Sequence, residues 1–376
     1  MIRFLLNFYL TLKIRMACHK KWKHIILSNE SFSVKNEIQE KHLHLWKPLS
    51  RKVELYYLNG YTQISTIESH AYTPENLYYE IIEPVLNNKS FSLAYSDKNF
   101  YQRFLSEFSE LFPVTILRSI NKTILNSKYD KEVSALSAVN RLEENTSYIF
   151  KSSVETSGGQ DVFCISRKAD KILMEDSNLD MREIGFDTLA KTYPNFIIQE
   201  KITQNQWFSN FNKSSVNTLR VFTYRSWIDE SVHVLSCVLR FGQKGKLVDN
   251  QAAGGLTIGI NKEGLLNNFV CSKYGRINDT EFDFSHLYSF KVPFYDKIIG
   301  YAKRIAPSYY YHRLLGFDFC VTANDEIRLL EINCKNIEIN FLQMNNGPLF
   351  GEFTNEIIEY CRHENKKVVI DFELKP

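Results

Sequence analysis

Residues 316–333 constrain this chain more than any other stretch. They read Gly-Phe-Asp-Phe-Cys-Val-Thr-Ala-Asn-Asp-Glu-Ile-Arg-Leu-Leu-Glu-Ile-Asn. Apolar runs at 317–321 and 327–332 flank Ala323-Asn324-Asp325-Glu326, a turn-forming stretch, so a β-hairpin is predicted. Asp318 falls in the first strand. Glu331 and Asn333 end the second and, two apart, point to one face. Pairing lets Asp318 reach that face as well. Three oxygen-bearing side chains on rigid strands suit Mg²⁺, a hard ion that favours octahedral oxygens and shares them with nucleotide phosphates. The competing reading is an edge hairpin with acids on its solvated face.

At 376 residues the chain can bury a sizeable core and hold more than one lobe. Hydrophobic residues make up 44% and charged residues 24%, ordinary for a globular protein. A net charge of +3 gives no case for a nucleic-acid binder. Seven scattered cysteines form no Cys-x-x-Cys pair, which argues against a zinc site or disulfide framework and for a reducing, cytoplasmic setting. Cys164, Cys237 and Cys320 lie in apolar strand patterns, as small core residues do. No run is long enough to span a bilayer. Residues 2–14 are apolar but bracketed by Arg3, Lys13 and Arg15, without a small-residue cleavage site. Two readings stand for residues 1–24: a helix packed on the body, which is favoured, or an amphipathic helix at the inner membrane face, helped by Lys20, Lys21 and Lys23.

The chain divides by pattern. Residues 1–45 read as helical and basic, and 1–95 as a helical or mixed extension. Thr73-Pro74-Glu75 reads as a helix start, with Thr73 as its cap. Apolar Phe100, Phe104, Leu105, Phe108, Leu111 and Phe112 predict a helix over 96–112, and 134–142 a second. From 148 onward strands dominate: a hairpin at 148–151 and 162–165, a strand at 196–200, and a long pair at 218–224 and 232–241. A further hairpin at 256–260 and 265–270 turns at Asn261-Lys262-Glu263-Gly264, and a helix at 295–306 precedes the acidic hairpin. Helices followed by antiparallel hairpins indicate an α+β protein.

Phe150-Lys151 leads into Ser152-Ser153-Val154-Glu155-Thr156-Ser157-Gly158-Gly159-Gln160. A lysine at a strand end before a small, polar, glycine-paired loop is a phosphate-binding arrangement: backbone N–H groups approach closely and the lysine adds a point charge. A flexible hairpin tip has the same composition. The order of pieces weighs the choice. Asp97-Lys98, Lys151 and the glycine loop are followed by Gln199-Glu200-Lys201-Ile202 and Asn217-Thr218-Leu219-Arg220. Leu239-Arg240-Phe241-Gly242, Asp249-Asn250, Gly254-Gly255 and Asp318…Glu331-x-Asn333 complete the series. The series resembles the ATP-grasp superfamily, and within it the group associated with sugar transfer and polysaccharide assembly. The likeness runs from about 96 to about 360.

The resemblance implies an ATP-grasp fold of two α+β lobes: a small lobe at 96–200 with the glycine-rich loop, and a large lobe at 201–376 with the metal site. Lys98 and Lys151 then hold ATP phosphates, and Ser157, Gly158 and Gly159 close over them. Gln199, Glu200, Lys201 and Ile202 form the interlobe hinge that meets adenine. Asp318, Glu331 and Asn333 bind Mg²⁺ (two ions, with Mn²⁺ as an alternative), Arg220 and Arg240 attend the transferred phosphate, and Asn250 lines the acceptor side. Gln204, Asn205 and Gln206 stand where the family often has an acidic ribose ligand. The implied activity is ATP-dependent ligation of a small carboxylate to an amine or a sugar hydroxyl through an acyl phosphate, in polysaccharide or glycoconjugate synthesis. Alternatives are a kinase with a hydroxyl acceptor, or a non-catalytic ATP-binding scaffold of a glycan-assembly complex. His286 and His312 read as structural, since no nucleophile motif surrounds them.

Overall fold

A computed structural model of the protein describes residues 2–28, 32–154, 161–175, 180–243, 245, 249, 254–277, 282 and 284–364. Apolar runs separated by turns gather into two antiparallel sheets of seven strands. The first contains β1 (Thr115–Ile120), β2 (Thr123–Asn126), β3 (Ser147–Ser152), β4 (Val162–Lys168), β5 (Lys171–Glu175), β6 (Met181–Gly185) and β7 (Phe196–Glu200). Their order is β2-β1-β7-β3-β4-β5-β6, so β7 inserts between β1 and β3. The second contains β8 (Thr218–Arg225), β9 (Val232–Phe241), β10 (Leu256–Ile260), β11 (Val270–Ser272), β12 (Gly275–Ile277), β13 (Leu314–Val321) and β14 (Ile327–Asn333). Its order, β12-β11-β10-β9-β8-β13-β14, places β13 between β8 and β14.

Both faces of the second sheet are covered. On one, Leu219, Val221, Phe317 and Phe319 join a core with Ile298, Ala302 and Ile305 of the helix Tyr295–Ile305. On the other, Phe222, Tyr224, Val238 and Leu314 pack with Trp46, Leu77 and Tyr78 from the N-terminal region and Ile357 from the helix Thr354–Glu364. Burial on both sides explains why every residue of β13 is buried, and why its one charged residue, Asp318, is paired with arginine. The first sheet keeps its own core, centred on Phe150, Ile165, Ile172 and Phe196.

Helix α1 (Ile2–Ser28), α2 (Asn36–Trp46) and α3 (Leu55–Ser65) form the N-terminal region. Trp22 packs edge-on against Tyr57 and Tyr61. Gly60 permits this approach, since a Cβ there would lie 2.7 Å from Trp22 Cζ3.

Several expectations differ from the structure. The helix expected over 96–112 is three pieces: it ends at Ser96, resumes as Tyr101–Phe104 and tightens to a 3-10 stretch, Ser106–Leu111. Asp97 Oδ1 accepts from Asn99 N at 2.9 Å, forming a turn that competes with helix at its start. The apolar spacing is met by packing Tyr101, Leu105, Phe108 and Leu111 into the large core. Thr73 does not cap. Pro74 is the N-cap, and the Thr73 backbone is held at both N–H and C=O by the Gln343 amide, at 2.8 and 3.0 Å. The strand expected at 265–270 is an isolated bridge, Ile260↔Leu266, and β10 pairs instead with β11 through Thr257↔Cys271. Asn267 turns away to give its amide to Asn345 O at 2.6 Å.

Candidate active site

β13 and β14 pair with Gly316 opposite Asn333 and Asp318 opposite Glu331, so the three oxygen-bearing residues share one face. A register shift between Asp318 and Phe319 re-aims the strand directly beyond the carboxylate. On its other edge β13 pairs with β8, where Asp318 is opposite Arg220. One strand further, Thr218 of β8 is opposite Arg240 of β9. Sheet pleating therefore delivers two carboxylates, one carboxamide and two guanidinium groups to one patch.

Their contacts are dense. The Arg220 fork holds Asp318 through Nε and Nη2, the second bond at 2.7 Å. Arg240 Nη1 reaches Asp318 Oδ2 at 3.2 Å, and its Nη2 lies 3.6 Å from Asp249 Oδ1. Thr218 Oγ1 donates to Asp249. Asn333 Nδ2 approaches Asp318 Oδ2 at 3.4 Å and Gly316 O at 3.2 Å. Burial pushes the Asp318 carboxyl upward, but Arg220 and Arg240 outweigh it and hold it below the usual carboxylate range. Asp249 goes the other way, because burial exceeds what Arg240 returns.

Two lysines face this patch, Lys151 from the first sheet and Lys98 from a turn bound to it. Lys98 Nζ lies 2.7 Å from Glu331 Oε1. The turn that carries it is clipped by Lys98 N to Ser153 O at 2.9 Å and by Asn99 Nδ2 to Ser119 O at 2.9 Å. Lys151, on β3, extends across to Leu330 O of β14 at 3.4 Å. Burial, reinforced by Lys98, pushes the Lys151 ammonium down to about 8, with Glu331 opposing. Burial likewise raises Glu331, and Lys98 overrides it so that the carboxyl ends below its usual value. Lys151 of the first sheet and Lys98 of the turn bound to it thus meet the acidic hairpin of the second sheet.

The residues expected as the hinge lie at the end of β7 and directly after it. Gln199 Nε2 donates to Pro113 O and Thr115 Oγ1, at 3.3 and 3.2 Å. The Glu200 carboxylate accepts from Val114 N at 3.0 Å, which turns it onto the neighbouring strand. Lys201 is exposed with Nζ 3.5 Å from Cys164 Sγ, and Ile202 is half-buried. A narrow crevice beside them is lined by Lys98, Gln199, Leu329 and Leu330. At the expected ribose position, Gln204 ties its own loop to Asn212 O and Ser215 O, and Asn205 donates to Asp325 at 2.7 Å. Ser157, Gly158, Gly159 and Asn250 lie outside the described residues. His312 is buried, with Nε2 2.8 Å from Ser92 Oγ, and burial takes it down to about 4.

Some neighbours of the site carried no local sequence signal. Glu338 pairs with Lys21 of α1 at 2.6 Å. Close packing opposes its ionisation, yet Lys21, then Arg240 and Arg220, hold its carboxyl low. Lys21 also reaches buried Glu75 at 3.1 Å, and Glu75 accepts from Trp22 Nε1 at 2.5 Å and Asn340 Nδ2 at 2.9 Å. Only the docking of α1 on the 338–340 segment brings these groups together.

The model of the sugar-transfer associated ATP-grasp family matches this chain over residues 80–357. The chain belongs to that family. It is also similar to solved structures of ATP-grasp folds. The ligase PsnB with a minimal precursor gives 12% identity over 74% of this chain and 63% of its own, at a TM-score of 0.36. An L-amino acid ligase from Bacillus licheniformis gives 10% identity over 72% and 52%, at 0.36. Biotin carboxylase from Campylobacter jejuni gives 13% identity over 71% and 46%, at 0.39. The match spans less than two thirds of the length of each of these structures. No curated protein matches the chain.

Among the described residues no three His, Cys, Asp or Glu side chains cluster as a metal cage. The donor set still fits a hard divalent ion that shares phosphate oxygens: Glu331 and Asn333 supply a carboxylate and a neutral oxygen on one face, and Asp318 lies beside them. Each carboxylate here has a cationic partner, the pairing expected where phosphate and metal exchange with those partners.

Proposed function

We propose that the protein is an ATP-dependent ligase that activates a carboxylate as an acyl phosphate and passes it to an amine or, less favourably, a sugar hydroxyl. One observation carries the reading: Lys151 of the first sheet and Lys98 of the turn bound to it confront Glu331, Asn333 and Asp318 of the second, with Arg220 and Arg240 immediately behind. Phosphoryl transfer needs alignment and charge neutralisation more than a covalent catalyst, and this cluster is made of such parts. When bound, Mg²⁺ supplies charge neutralisation at the β- and γ-phosphates, with Glu331, Asn333 and Asp318 to hold it. Lys98 and Lys151 bind phosphate oxygens in place of Glu331 and the Leu330 carbonyl.

The substrate carboxylate attacks the γ-phosphorus, and the bond to the bridging oxygen of ADP breaks. The nucleophile then adds to the acyl carbon, and phosphate leaves with the electron pair of its C–O bond. Arg220 and Arg240 orient the phosphate and offset the oxyanion; a planar fork suits both. Asp318 keeps the two guanidinium groups aimed. The ATP-grasp ligases among similar structures support ligation as the reaction class. Membership of the sugar-transfer associated family supports a surface-polysaccharide or glycoconjugate setting, and the seven reduced, buried cysteines fit a cytoplasmic one.

The test is thermal stabilisation by MgATP followed by ADP release with paired carboxylate and amine acceptors, amino acids with uronic acids or amino sugars first. Ligation requires ADP and free phosphate with an amide or ester product. A phosphorylated hydroxyl product would instead mark a kinase. Nucleotide binding without turnover on any pair would reduce the protein to a scaffold.

A further inference from the structure

Helix α1 is docked mainly through its C-terminal half. Cys18, Trp22 and Ile25 are buried, Lys21 and Trp22 reach Glu75, and Arg15 Nε lies 2.7 Å from Glu80. The N-terminal half presents a different surface. Leu5, Phe8, Tyr9, Leu12 and Met16 are each between 47% and 63% exposed. At 3.6 residues per turn these five positions fall within a stripe of about 100°, pointing away from the docked side. Exposed Lys13 and Lys20 border the stripe, and exposed Lys23 continues its line. Next to the helix, the β11–β12 turn adds Tyr274, 50% exposed, whose ring lies 5.2 Å from that of His24, and Lys273 beside it.

We propose that α1 lies in the plane of an anionic lipid surface, its apolar stripe sunk at the headgroup boundary and its lysines against lipid phosphates. Charge decides the occupant. The helix carries six Lys or Arg and no Asp or Glu over its 27 residues. Two copies packed stripe to stripe would oppose cations with no carboxylate on either helix to offset them. An anionic headgroup layer supplies the missing charge, and the aromatic-and-lysine border suits its depth. None of the described helices is long and apolar enough to cross a membrane, so the contact is parallel to the surface. This inference does not depend on the ligase reading.

The experiment is co-sedimentation of the full chain with vesicles of phosphatidylcholine alone or mixed with phosphatidylglycerol. Wild type should bind the mixed vesicles, with affinity falling about tenfold or more without phosphatidylglycerol or in high salt. F8S/L12S should lose binding by a similar factor while melting and MgATP-induced stabilisation stay as in wild type. K13Q/K20Q/K23Q should lose the preference for anionic lipid. Wild type remaining in the supernatant with mixed vesicles overturns the proposal, as does either variant behaving as wild type. A wild-type dimer that F8S/L12S converts to monomer, without vesicle binding, would assign the stripe to a second copy and overturn it too.

Discussion

Asp318 and Glu331 share a face, yet their energetic roles differ. Asp318 neutralises two buried guanidinium groups, so its loss strands both. Asp318→Ala should cost about 3–5 kcal/mol in urea unfolding, the usual consequence of breaking a buried ion pair from one side. Glu331 is a third exposed and pairs with Lys98. Glu331→Gln should cost under about 1 kcal/mol while abolishing ADP release, since a partly exposed pair adds little stability. A common loss of stability in both variants would contradict this division. Lys151 yields a pH prediction. Its folded value is about 8 against an ordinary 10.5. Between those values the unfolded chain binds the proton that the folded chain has released. The contribution of this group to stability therefore rises with pH through that window, and below about pH 8 the buried cation is a cost. Phosphate needs the protonated form, so MgATP affinity should weaken as pH rises through about 8. Titration calorimetry showing a flat affinity across that range would remove Lys151 from the phosphate contacts.

At the scale of elements, α1 is fastened at one residue more than any other. Glu75 is buried and gathers Lys21, Trp22 and Asn340 from two separate segments. Glu75→Gln removes the charge but keeps an acceptor, so we expect about 1–3 kcal/mol of destabilisation. Amide exchange should quicken along α1 while the strands of the first sheet keep their protection. Gly60 is the complementary constraint on α3. Its alanine variant forces Trp22 or Ile25 to move, at a cost of about 1–3 kcal/mol by overpacking. The hairpin β13–β14 behaves differently again, because its pairing, bulge and flanking strand are all set by the sheet.

Across the whole molecule, the first sheet and the turn bound to it bring lysines to the acids of the second sheet, and the N-terminal region is built onto that second sheet. All seven cysteines are free and buried. Native protein should therefore leave a thiol reagent almost unreacted, and denaturant should release seven thiols at once if the lobes unfold together. Burial takes Cys18, Cys271, Cys320 and Cys361 up to about 12, which slows reaction further.

The chain order of lysines, glycines and acids is local information, and it was enough to indicate an α+β fold of the ATP-grasp kind with an acidic hairpin at its centre. Alternation places Asp318, Glu331 and Asn333 on one face, because a two-residue side-chain period needs no distant partner. Strand β7 and the pair β8–β9 were legible for the same reason. What a sequence pattern does not contain is competition between segments. Residues 96–112 have helical spacing, but the Asp97 turn and the burial of Tyr101 and Phe108 in a distant core break the helix. Thr73 has a capping composition, but Gln343 claims its backbone. Lys21 and Glu338 lie more than 300 positions apart and meet only through docking. Side-chain period is a property of neighbours along the chain; the partner of a buried charge is chosen by whichever distant group desolvation leaves within reach.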